Sequence, residues 1–120
     1  MKGERFMKKK RIILPVKSKW FQMEKEGIKP EDYREIKPYW QVKFCKNFFK
    51  GADYCIKSEC PICRLFNPIE YDEVELTEGY PKREDKERRL IKKIKQMYIS
   101  FGRPEWGAPK KRCFIIKWEE

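Results

Sequence analysis

The chain contains no histidine. That removes the commonest general acid–base side chain, while lysine and carboxylate chemistry stay open. Long apolar runs are missing as well, and no stretch approaches the roughly 20 residues that a membrane span needs. The opening MKGERFMKKKRIILPV is basic, but its apolar part is too short for a signal-peptide core and no small-residue cleavage site follows. Internal repeats and low-complexity segments are absent. The expectation is a cytoplasmic protein (in the host cytoplasm, were the chain viral), where cysteines serve as thiols or metal ligands rather than disulfides.

What is present is positive charge. The 120 residues carry 30 Lys plus Arg against 19 Asp plus Glu, a net charge of +11. Such an excess attracts polyanions and makes their binding depend on salt. The 15% aromatic content supplies either core or surfaces on which bases stack. Length suits one domain over residues 1–120 and leaves no room for a second.

Along the chain, Arg11 to Val16 is an apolar, isoleucine-rich run that predicts a buried strand. Ser18 offers an N-cap, and Trp20, Phe21 and Met23 have near-helical spacing before Gly27 stops a short helix. Pro30 and Pro38 then favour extended chain. Alternation in EDYREI puts Asp32, Arg34 and Ile36 on one side, with Tyr33 and Glu35 on the other. YDEVELTEGY reads as a half-exposed strand ending at Gly79. Residues 82–89 form a charged connection. RLIKKIKQMYISF fits either a helix face or a strand, and RCFIIKW closes the chain as a strand. The sum is a small domain of several strands and one or two short helices.

The order of these pieces resembles an ASCH domain. The family signature is a glycine, one residue, a lysine, two residues, an acidic residue, one residue and an arginine, and Gly27, Lys29, Asp32 and Arg34 fill those places. YDEVELTEGY and the ending WGAPKKRCFIIKW are also similar to short bacterial and phage members. The resemblance implies an α+β fold, a small PUA-like β-barrel of about five to six strands with one or two short helices. A Cys-rich inserted loop would occupy about residues 43–66. It also implies binding of RNA or a nucleotide in a cleft of that barrel. Some members are amidohydrolases that deacylate a modified cytidine with the motif lysine, a threonine and a glutamate. Here Asp32 stands in the threonine's place, and no residue is assigned to that of the distant glutamate.

The charged strand suits such a ligand. Lysine offers a point charge for phosphate, and arginine a planar fork that grips phosphate or a base edge bidentately. A carboxylate between them accepts from an exocyclic amine or holds the two cations. The plainer alternative is that Arg34 pairs with Asp32 or Glu35 and braces the strand. Tyr39, Trp40 and Trp106 are candidate stacking contacts and Lys17 a further cation, while Trp20 and Trp118 are assigned to packing.

Cys45, Cys55, Cys60 and Cys63 cluster within the irregular segment, and CIKSECPIC has the spacing C-x4-C-x2-C. Four thiolates can complete a tetrahedral shell around a structural zinc and staple an insertion that lacks its own core. Free thiols, a redox disulfide and an iron–sulfur cluster are the alternatives. Cys113 alternates with Ile115 as core. The expected function is RNA or single-stranded nucleic-acid binding through Lys17, Lys29, Asp32, Arg34, Tyr39, Trp40 and Trp106. Beside it stands a small amidohydrolase or ribonuclease, with Lys29 as base or nucleophile and Asp32 orienting it. A third alternative is a protein partner docking on the Cys-rich insertion.

Overall fold

In a computed structural model, residues 9–46 and 68–120 are described. Strand β1 (Arg11–Val16) alternates as its sequence demands, with Ile12, Leu14 and Val16 buried and Arg11 and Ile13 exposed. Helix α1 (Ser18–Lys25) follows at once. Its capping residue is Lys17, whose carbonyl accepts from the Phe21 N–H at 2.9 Å. Ser18, expected as the cap, is the first helical residue. Beyond the helix, Gly27 adopts φ +79°, a left-handed turn that glycine takes without a Cβ clash.

Strand β2 (Glu31–Glu35) leads into helix α2 (Pro38–Phe44). Pro38, expected to keep the chain extended, opens this helix instead. Its missing N–H is harmless in the first turn, where that group has no intrahelical acceptor, so the same proline starts a helix. Strand β3 (Glu73–Glu78) differs from the half-exposed strand expected. Val74 through Thr77 are all buried: Val74 and Leu76 face the core, and on the other face Glu75 is covered by the Arg11 and Arg89 side chains that it pairs with. The ambiguous segment is a strand, β4 (Arg89–Ser100), and β5 (Cys113–Trp118) closes the chain.

These elements form a small α+β domain with a five-stranded mixed sheet, in the order β1-β3-β4-β5-β2. The pair β1–β3 is parallel and the others are antiparallel. The long β4 serves both halves: Arg89–Lys93 pair with β3, and from Ile94 onward the strand pairs with β5, with a register shift between Ile94 and Gln96. Such an irregularity bends a strand and increases its twist.

Ile12, Leu14, Val74, Leu76, Phe114, Ile116 and Trp118 form the inner face of the sheet, closed over by Phe21 of α1 and Phe44 of α2. The Phe44 and Phe114 rings meet edge to face with centroids 5.0 Å apart. Each such fully buried side chain contributes roughly 1.5–3 kcal/mol. Among the described residues, no helix is long and apolar enough to cross a membrane.

The sheet is not closed into a barrel, contrary to the expectation. Its edges are β1 and β2, which share no backbone ladder. Pro15, without an N–H, sits on the β1 edge, where proline is tolerated. Across the seam, Nη2 of Arg34 donates to the Pro15 carbonyl at 2.7 Å. A side chain therefore bridges the edges where a barrel would have strand pairing.

Candidate functional site

The seam between β1 and β2 is also where the charged motif lies. Lys29 is buried in the turn between α1 and β2, with 2% of its surface exposed. Its ammonium donates to Glu24 Oε2 at 2.8 Å and to the Glu31 carbonyl at 2.9 Å, and Asp32 Oδ1 stands 3.7 Å away. The rings of Tyr33 and Trp20 lie 5.2 and 5.9 Å from the same nitrogen. A lysine has three N–H donors. Two are used, and the third has the Asp32 carboxylate as its nearest anion.

Asp32 in turn accepts from Arg34 Nε at 2.6 Å. Strand alternation places both on one face, and the bond confirms that geometry. The Arg34 guanidinium is thus fixed by Asp32 on one side and Pro15 on the other, and it lies 4.9 Å over the Trp40 ring. Trp40 itself is stacked on Phe44, with centroids 5.6 Å apart. The bracing alternative is therefore true as far as it goes: Asp32 holds Arg34. It leaves the Nη1 edge of the guanidinium without a hydrogen bond from the described residues.

Glu24 is the residue that sequence reasoning missed. It is fully buried on α1, one turn after Phe21, and its second oxygen, Oε1, makes no hydrogen bond among the described residues. Burial, and then the nearby Asp32 carboxylate, push its carboxyl up to about 8, although Lys29 and Arg34 act in the opposite direction. The available signal was a glutamate at i+3 from a core phenylalanine on an otherwise apolar helix face. Burial also raises the Cys113 thiol to about 11. The Tyr33 hydroxyl is raised by burial and by its bond to Glu31, and it accepts the Arg103 backbone N–H at 3.1 Å.

Around this cluster lies a cavity of about 320 Å³, walled by Lys17, Trp20, Lys29, Asp32, Arg34 and Trp106, with Tyr33 at its rim. Five expected site residues are thereby brought together. Trp20, which had been assigned to packing alone, packs on the core and also walls the cavity. Gly107, at φ +90°, passes so close beneath Trp20 that a Cβ there would sit 2.8 Å from the indole. Tyr39 and Trp40 line a second hollow of about 310 Å³ with Lys37 and Tyr80, and Pro15 and Arg34 belong to both.

A larger hollow of about 670 Å³ lies elsewhere, lined by Glu75, Pro81, Arg83, Lys86, Arg89 and Ile91. Among the described residues it has no aromatic wall, and Arg89 is engaged by Glu75 at 2.7 Å and by the carbonyls of Pro81 and Lys82. Size alone does not make it the better candidate.

Of the expected metal ligands, Cys45 is buried in the core at the end of α2. Cys55, Cys60 and Cys63 lie outside the described residues. Among the described residues, no cluster of Cys, Asp and Glu is arranged to hold a metal. Comparison of the chain with protein families, with curated proteins and with solved structures found no match.

Proposed function

We propose that this protein binds RNA or single-stranded nucleic acid in the seam between β1 and β2. One observation carries the proposal: a fixed arginine, a lysine and three aromatic rings converge on one cavity in a chain of net charge +11. Arg34 and Lys17 supply the phosphate contacts, and Trp20, Tyr33 and Trp106 the faces for a base. Lys29 is the pin of the site. With its donors directed at Glu24, Glu31 and Asp32, it fixes the carboxylate that aims Arg34. An ASCH domain with a PUA-like kinship would use its cleft in this way, so the family resemblance belongs with the same proposal.

The amidohydrolase reading has one observation in its favour, a buried carboxyl raised to about 8 and standing 2.8 Å from Lys29. Against it, an amine held by two carboxyl groups and a carbonyl is poorly placed to attack or to take a proton. No turnover of N4-acylated cytidine is expected. Turnover that vanishes in Lys29→Ala would favour the hydrolase instead. Native mass spectrometry of the full chain with short single-stranded RNA tests the binding itself. A one-to-one complex that dissociates as salt rises is the expected result, and the absence of any complex at low salt would refute the proposal.

A further inference from the structure

Two hollows of similar size, about 320 and about 310 Å³, lie on either side of Arg34 and share it and Pro15 as a wall. Each is at the lower end of the roughly 300–1,000 Å³ range of small-ligand sites, room for one nucleoside-sized group. The first carries Trp20 and Trp106 in its walls. The second carries Tyr39, Trp40 and Tyr80 beside Lys37.

Within the second hollow the rings differ in what they can offer. Trp40 is engaged by Phe44 and by the Arg34 guanidinium. Tyr39 is 59% exposed and Tyr80, on the turn after β3, is 90% exposed. A tyrosine so exposed contributes almost no packing to the fold, and its ring is open on the hollow's rim. Aromatic surface, a fixed guanidinium and aromatic surface again make the pattern of base, phosphate and base.

We infer that the site binds a dinucleotide step of a single strand, with Arg34 on the bridging phosphate, one base in the Trp20–Trp106 hollow and the next against Tyr80 and Tyr39. This rests on the binding function proposed above and adds the length and chemical class of the ligand. Arg34 is suited to the central place because Asp32 and Pro15 hold its Nε and Nη2, leaving Nη1 for an oxygen. Stacking tolerates any base, so the second hollow selects for length of strand rather than for sequence.

The test is displacement of a fluorescein-labelled single-stranded hexaribonucleotide from the full chain, followed by anisotropy. The competitors are uridine monophosphate and the dinucleoside monophosphate UpU. UpU carries the smaller negative charge, so diffuse attraction favours the mononucleotide. Displacement by UpU at a concentration about tenfold lower or more, the effect of one additional stacked base, is expected. Tyr80→Ala, a change at an exposed ring, should narrow that ratio to about threefold or less. If the hexaribonucleotide does not bind at all, the underlying function fails. If it binds but UpU is no better than the mononucleotide, or Tyr80→Ala leaves the ratio unchanged, the two-base site is overturned and the single-cavity site stands.

Discussion

Arg34 on one edge strand donates through Nη2 to the carbonyl of Pro15 on the other, at 2.7 Å. It is a side-chain bridge across an open sheet, and the candidate site occupies the same gap. Removing it should loosen the seam and leave the Asp32 carboxylate buried without its closest donor. Arg34→Ala is therefore expected to lower stability by about 1.5–3 kcal/mol, the usual worth of hydrogen bonds to charged groups. The midpoint of urea unfolding checks this. A midpoint equal to that of the parent protein would mean the bridge contributes nothing.

The Glu24 carboxyl ordinarily titrates near 4.5 and is pushed up to about 8 in the fold. Below the lower value both folded and unfolded chains hold the proton, and the contribution is fully present. As pH rises between the two values, unfolding releases that proton, so stability falls and the contribution is lost beyond about 8. The slope from this one group is at most on the order of 1 kcal/mol per pH unit. Glu24→Gln cannot titrate and should flatten the melting temperature across this window. An equally steep profile in the variant would move the origin elsewhere.

Gly107 combines φ +90° with close approach to Trp20. A methyl group there requires both backbone strain and displacement of the indole. Gly107→Ala should cost about 1–3 kcal/mol. It should also change tryptophan fluorescence, since Trp20 must move from the cavity wall. Unchanged stability and emission would show that the loop simply shifts away.

Much of the fold was legible where one physical signal dominated. Ile12, Leu14 and Val16 alternate cleanly, and Gly27 marks the end of α1. The reading failed where position within an element outweighed residue type. Pro38 breaks a helix interior but opens α2, and β3 looks half-exposed until Arg11 and Arg89 of the neighbouring strands cover Glu75 on its outer face. The open seam was invisible because it depends on which strands become edges, a property of the whole sheet. At the site, spacing along β2 paired Asp32 with Arg34 correctly. Glu24 escaped because a glutamate on a helix is ordinarily solvated. Its burial follows from Lys29 folding back beneath α1 after the Gly27 turn.

The central claim is that nucleic-acid binding is focused at the seam and not spread over the basic surface. Arg34→Ala and Lys82→Ala each remove one positive charge, the first from the cavity wall and the second from an exposed connection. Their affinities for a labelled single-stranded RNA are to be measured by anisotropy across a salt series, below the unfolding transition of both variants. Loss of this fixed arginine, with its charge-assisted bond to phosphate, should weaken binding about tenfold or more, and loss of Lys82 by about twofold at most. Equal losses from the two substitutions would contradict the account and leave only diffuse attraction between a basic protein and a polyanion.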